Sequence, residues 1–482
     1  MNFKFRWNAS VGPPSPAAPS VSVRGSARST WQRSHNFGIR VERGWPGGIL
    51  LLRIAAVACL LLAVHSAMAQ APAGQQPTGQ APPAKTPYYL GPPVLDVGWT
   101  PGESPASAIE EIEDIYAPHE GDVNLGRVER PLDYLSRQLN VLDEKTGLRL
   151  AFPYTMAFQQ ATGGPGDRYG GAGDMDLMSS WTLVGRGTKN TGRLVFTAEY
   201  RFAIGSQPPT ALLGQLGTLI GTVNGFNDRG WVVRDFFWAQ RLFDGRLRFM
   251  IGRADPSDYV GNHWLQNSNN SFLNRHFSGS AAMPSPGHGP SAGISYRPGD
   301  LFYVTAGASS AYGVTTQWGF DTLRRGDFFT YGEVGLTPTF HGLGRGKYAV
   351  SPWHMAARDR NNLPSDNGVT VTVDQEFSRK LQIFARYAYA DATLTNVRQI
   401  AQGGLGMRGM FGNLDDLAGV AFSVGIPRNS ALRNEKVFEA FYRWQFTRHT
   451  QLSFGAQAIF DPSNAPTAST VGVFYARLRT VF

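Results

Sequence analysis

The chain is nearly devoid of cysteine. Its one cysteine, Cys59, sits in an apolar run near the N-terminus, so nothing beyond residue 70 can form a disulfide or act as a thiol nucleophile. No stretch after residue 70 holds 18 consecutive apolar residues, which excludes a membrane-spanning helix there. An excess of one charge is also missing from most of the chain. Of 45 basic and 36 acidic residues, eight basic ones (Lys4, Arg6, Arg24, Arg28, Arg33, Arg40, Arg43, Arg53) and one acid (Glu42) lie within 1–69. The remainder carries 37 and 35, so no basic face for a nucleic acid is expected. The nine histidines include no H-E-x-x-H pair, and no G-x-S-x-G elbow occurs. Gly346-Lys347 is followed by Tyr348 where a phosphate-binding loop needs Ser or Thr. Gly404-Leu405-Gly406-Met407-Arg408-Gly409 matches G-x-G-x-x-G, but no buried parallel strand precedes it, and it reads as a glycine-rich turn or loop. His263, His276, His341 and His354 read as loop residues. No catalytic set, metal site or cofactor is expected.

Aromatics, by contrast, make up 12% of the 482 residues, glycines number 56, and mean hydropathy is only −0.23. A wall with a lipid face alternating against a polar lumen has that average. At the N-terminus, Arg40 and Arg43 precede the apolar Ile49–Val64, broken only by Arg53, and Ala67-Met68-Ala69 follows. These are the parts of a secretory signal peptide with a long basic leader (1–69), cut before Gln70. Gln70–Pro93 is an Ala/Pro/Gln-rich linker. A short acidic helix is expected within Pro105–Pro118. Leu132, Leu135, Leu139 and Leu142 predict a second, with Pro131 at its start and Gly147 at its stop. Residues 70–146 thus form a periplasmic linker and short helical segment.

From Gly147 the period becomes two. Leu148, Leu150, Phe152, Tyr154, Met156 and Phe158 share one face. Similar alternation recurs in 194–202, 246–251, 369–374, 383–389, 437–446 and 452–458. Aromatics crowd the ends of the apolar faces, Arg and Glu stand mid-strand opposite them, and long Gly/Pro/Asn/Ser loops such as Asn262–Pro290 intervene. The last strand alternates Phe474, Ala476, Leu478, Thr480 and Phe482, and a terminal aromatic is the signal read by the barrel assembly machinery. The fold class is all-β, a transmembrane antiparallel barrel of about 16 strands over 147–482. With Leu194, Phe196, Ala198, Tyr200 and Phe202 toward lipid, Glu199 and Arg201 enter the lumen. Arg248, Arg386, Glu439 and Arg443 follow by the same rule. The opposite register would cost roughly 2–4 kcal/mol per Arg or Lys near mid-bilayer. Arg253 and Asp255 are further lumen candidates, and Tyr259 and Trp264, in the long loop after Arg253, are placed to fold inward.

Long ordered stretches carry a family resemblance. They are "RLRFMIGRADPSDYVGN" with "FLNRHFS" within 237–278, "YGEVGLTPTFHGLGRGKYAVSPWHM" (331–355), "GVTVTVDQEFSRKLQIFARYAYADA" (368–392) with "LDDLAGVAFSVG" (414–425), and the ending from Phe438 to "RLRTVF". The chain resembles the carbohydrate-selective porins, the OprB family, from roughly 147 to 482. It lacks the Trp-Gly-Gly segment usual near that family's mature N-terminus. The resemblance implies passive, sugar-preferring diffusion across the outer membrane of a Gram-negative bacterium, with sugars and membrane lipid as partners. A homo-oligomer is compatible with it. A general size- and charge-selective porin or a surface adhesin are the rival readings.

Overall fold

The computed structural model describes residues 107–482, Arg379 excepted, so the signal-peptide and linker expectations lie outside the described residues. Two helices come first: α1 (Ala108–Tyr116) and α2 (Arg130–Thr146). The strands are β1 (Leu148–Ala151), β2 (Tyr154–Ala161), β3 (Tyr169–Val184), β4 (Gly192–Ala203), β5 (Gly230–Leu242), β6 (Leu247–Ala254), β7 (Gly289–Tyr296), β8 (Phe302–Ser310), β9 (Phe328–Leu336), β10 (Thr339–Phe340), β11 (Gly344–Met355), β12 (Asp366–Glu376), β13 (Leu381–Ala390), β14 (Val397–Arg408), β15 (Leu417–Pro427), β16 (Glu435–Gln445), β17 (Thr450–Phe460) and β18 (Thr470–Thr480). Each long strand pairs antiparallel with the next, and β18 closes on β2 from Val473↔Ala161 to Thr480↔Tyr154. The wall is a closed barrel of 16 strands. β10 is a two-residue hairpin arm on β11. β1 continues β2 along β3 after a break at Pro153, which has no N–H to give to a ladder.

Closure leaves no unpaired strand edge, the condition for a sheet in lipid. The outer face is apolar: Ile251 (59% exposed), Phe454 (56%) and Phe474 (45%) project outward, whereas Thr197, Glu199 and Glu439 on the opposite face are wholly buried. Rings gather at both ends of the outer face. Tyr200 stacks on Phe202 at 5.4 Å and meets Trp231 at 5.0 Å at one end, and Trp444 meets Phe446 at 4.9 Å at the other. Long loops (204–229, 255–288, 311–327) leave from the first end. Short turns (243–246, 297–301, 446–449) and the chain's C-terminus occupy the second.

Both helices pack at the short-turn end. α1 begins at Ser107, whose hydroxyl accepts from Glu110 N–H at 3.4 Å. Its carboxylates bind arginines on the inner face: Glu111 to Arg479 (2.7 Å), and Glu113 to Arg149 (2.5 Å) and Arg193 (2.9 Å). Ile109 and Ile112 join an apolar cluster with Met178, Val195 and Phe237 of β3–β5. α1 therefore lies within the barrel mouth. α2 ends at Gly147 in the left-handed region (φ 74°), as its stop signal predicts. Arg186 donates to the terminal carbonyls of Glu144 (2.7 Å) and Asp143 (3.1 Å), a cation at the negative end of the helix dipole.

Two His–Asp contacts tie this segment to the rim. His449 Nε2 lies 3.0 Å from Asp133, and His119 Nδ1 lies 3.6 Å from Asp415 in the β14–β15 turn. Burial alone would lower the His119 pKa, but the neighbouring Asp415 and Asp114 carboxylates raise it above the ordinary value. Burial would raise Asp415, and the nearby His119 with the hydrogen bond from the Glu120 amide brings it below the usual carboxylate value. The hydrogen bond from His449 likewise lowers Asp133.

Two expectations need correcting. Gly404–Arg408 lies inside β14, not in a turn or loop. A Cβ at Gly406 would stand 2.8 Å from Leu265 Cδ1, so the missing side chain there makes room for a loop packed inside the barrel. His354 lies on β11, whereas His263, His276 and His341 lie between wall strands as expected.

Candidate functional site

The lumen is organised by the loop 255–288, which folds into the barrel and lies along the inner face of β11–β18. Backbone groups of that loop are polar and buried, so each needs a partner. The inward residues of the wall supply them. Trp264 N–H donates to Asp374 (3.1 Å), Gly261 N–H to Glu333 (3.0 Å), and Leu273 and Asn274 N–H to Glu439 (2.8 and 2.9 Å). Lys347 donates to Asn262 O (2.7 Å), Arg443 to Asn270 O (3.0 Å), and Arg477 to Ser271 O (3.0 Å). Arg386 donates to Gly261 O (3.3 Å), His276 O (3.4 Å), Gln266 and Gly279. Phe272 fills the space beneath, against Phe384 and Phe441.

The opposite wall, β3–β5, carries a different set. Asp174 and Asp176 of β3, Glu199 and Arg201 of β4, and Arg234 and Asp235 of β5 all point inward. Period two would send only one of Arg234 and Asp235 inside. A bulge changes this: Thr197 pairs with Asp235 and Ala198 with Val233, so Arg234 is the extra residue and both charges reach the lumen. Arg201 Nε lies 3.1 Å from Asp174 and also bonds Glu199, and Arg229, from the loop 204–229, bonds Glu199 too. Arg234 lies 3.7 Å from Glu199, 3.3 Å from Asp235 and 3.8 Å from Asp258, which sits at the start of the long loop. Asp174, Asp176 and Glu199 approach within 4.8 Å of one another, a spacing a cation can bridge. The guanidinium of Arg201 already bonds two of the three.

The predicted residues do not form one site. Glu199 and Arg201 belong to the charge network of β3–β5. Arg253 and Asp255 border it. Arg253 donates to Val233 O (2.8 Å), Thr315 O (2.7 Å) and Trp318 O (3.0 Å) and so fixes the loop 311–327. Asp255 accepts from Ser257 N–H (2.9 Å) and caps the first turn of the long loop. Arg386, Glu439 and Arg443 lie on the far wall and hold loop backbone. Tyr259 and Trp264 fold inward with their loop and are buried, 6% and 5% exposed, so they offer packing rather than an open ring face. Arg248 stays apart at the short-turn end, donating to Gly245 O (2.8 Å). Phe482 seals the seam: Phe152 N–H donates to its carbonyl (2.8 Å), the two rings stack at 5.8 Å, and Phe482 lines a cavity of about 290 Å³ beneath the helices.

Sequence reasoning missed Asp174, Asp176, Arg229, Arg234, Asp235 and Asp258. Asp174 and Asp176 alternate with Met175 and Leu177, a period-two signal that was there to read. Arg229 and Asp258 are loop residues placed only by the folded loops. Together the network offers fixed donors and acceptors a few ångströms apart. Such an array can exchange hydrogen bonds with a passing polar solute without reorganising.

A profile of the carbohydrate-selective porin, OprB family, matches residues 182–482. Among solved structures, the high-pH structure of Pseudomonas putida OprB superposes with a TM-score of 0.61 at 15% identity, covering 76% of this chain and 99% of that one. The low-pH structure of the same protein gives 0.46 at 16% identity, covering 76% and 100%. A variant of Rh. blastica porin gives 0.41 at 10%, covering 70% and 100%. No curated relative matches the chain by sequence. The family profile spans more than half of the chain, and the barrel is of the kind solved for OprB. The chain belongs to the OprB family of carbohydrate-selective porins, β-barrel channels of the outer membrane.

Proposed function

We propose that this protein conducts small neutral sugars or polyols of glucose-like size, passively, across the outer membrane of a Gram-negative bacterium. The long loops face outward and the helices face the periplasm, after export and cleavage before Gln70. The observation that carries the reading is the division of the lumen into two walls. One wall anchors the inward loop; the other presents the Asp174–Asp176–Glu199–Arg201–Arg229–Arg234 network. Solute passes between them. Paired opposite charges favour hydroxyl groups, which both donate and accept, over ions of either sign. Each contact is weak enough to release what it binds.

Among the described residues Asp176 makes no ion pair and is the acceptor we assign to a sugar hydroxyl, with Arg229 as a donor across from it. Liposome swelling with sugars and size-matched uncharged solutes tests this. Faster entry of the sugars supports it, whereas rates ordered by size alone favour a general porin. Assembly through the terminal Phe482 and the barrel assembly machinery completes the proposal.

A further inference from the structure

Three loops meet on one side chain far from the charge network. Glu435 opens β16 and is wholly buried. Its Oε2 accepts the N–H of Leu219 (2.6 Å) and of Ser463 (3.2 Å), and its Oε1 accepts that of Ile220 (3.4 Å). His276 Nε2 stands 3.3 Å from Oε1, while its Nδ1 meets the Ser423 hydroxyl on β15. The partners belong to the loops 204–229, 255–288 and 461–469.

The wall is shaped to receive them. Gly425 is the register partner of Glu435. A Cβ there would press on His276 Cε1 at 3.3 Å and Leu219 Cδ2 at 3.4 Å. The first and third loops are also joined directly, by Asn464 N–H to Gly217 O (2.8 Å) and Asn464 Nδ2 to Thr218 O (3.0 Å).

The first two loops leave the β4–β6 wall and both touch Glu435, whose carboxylate binds groups of both. They are the loops that deliver Arg229 and Asp258 to the charge network. Glu435 thus couples the two loops to each other as well as to the wall, beside the anchors that each has separately.

We infer that Glu435 is a positioning residue for permeation. It holds the two inward loops against the far wall and keeps the path between loop and charge network at a constant width. It touches no solute. The inference rests on the channel reading but not on sugar preference.

The test is single-channel recording of the mature protein in planar bilayers with potassium chloride. Wild type, Glu435→Gln, His276→Ala and the control Glu376→Gln are compared. Glu376 pairs with Arg345 at the short-turn end (2.6 Å) and is remote from the loops. Folding is checked by heat-modifiable gel mobility. The Glu435→Gln current is expected to flicker to sub-levels that wild type and Glu376→Gln lack, and His276→Ala to flicker less often. Amide exchange at Leu219, Ile220 and Ser463 should accelerate by about tenfold, the effect of losing roughly one net hydrogen bond. A folded Glu435→Gln channel with a steady wild-type current overturns the inference. If Glu435→Gln does not fold, His276→Ala decides alone: flicker supports it and a steady trace overturns it. A size-only swelling series with flicker present would defeat the sugar reading and leave this one standing.

Discussion

Arg229→Gln is the most informative single change at the charge network. It removes one positive charge beside Glu199 while keeping a polar side chain of similar reach. Arg229 is only 17% exposed and Glu199 is buried, yet Arg201 still pairs with Glu199, so the carboxylate is not orphaned. An ion passing about 5 Å from the site would then feel one unit more of negative charge. Coulomb's law gives ~0.8 kcal/mol at the dielectric of water and ~3 kcal/mol at an effective value of 20. Mobile ions in the lumen screen the field, so the lower figure applies. At ~1.4 kcal/mol per tenfold, cation permeability should rise and anion permeability fall by about fourfold each, so their ratio should rise by roughly fifteenfold. The assay is the reversal potential across a bilayer under a potassium chloride gradient. Asp176→Asn should shift that potential the opposite way. Unchanged reversal potentials in both variants would refute the placement of this network along the ion path.

Arg386→Ala deprives the loop 255–288 of a buried clamp. Losing a hydrogen bond from a charged donor costs about 1.5–3 kcal/mol, so amide exchange over 261–279 should accelerate while heat-modifiable mobility of the barrel is kept. The tether of residues 107–120 should depend on pH. His119 is raised, so its contribution is full below about 6.5 and fades as pH rises through its folded value. Asp415 is lowered, so its contribution is full above about 3.8 and fades as pH falls through its own. Proteolysis of this segment should be slowest between those limits and faster at pH 8–9, and His119→Ala should abolish the alkaline rise. Deleting Phe482 removes the Phe152 stack, worth ~0.5–1.5 kcal/mol, at the closing seam. The yield of folded barrel in membrane fractions should fall, and an unchanged yield would speak against a role in assembly.

The barrel wall was legible because lipid enforces period two on every strand. Leu194–Phe202 and Phe438–Phe446 show it without interruption, and their inward charges follow from the cost of facing lipid. Reading failed where the period breaks or where glycine replaces the expected side chain. The bulge at Arg234 puts two successive charges inside, which alternation cannot anticipate. Gly404 and Gly406 sit in β14 where they suggested a turn: the space beside Gly406 is filled by Leu265 from a loop distant in sequence, and that beside Gly404 by Phe384 and Ala421 of the neighbouring strands. The role of Arg386, Glu439 and Arg443 was hidden for the same reason. Their sequence context shows a buried charge, but their partners are backbone groups of a loop that only the folded chain brings near. Glu435, at the start of an alternating strand, gave no local sign of collecting three loops.

A loop-narrowed channel whose paired charges favour sugars should reveal itself in the ion current through single channels of the mature protein as glucose is added. Stable channels are expected, with a current that falls with glucose concentration and saturates, while an uncharged solute of equal size without the hydroxyl array should reduce it far less. Equal reduction by both solutes, or none by either, would contradict it.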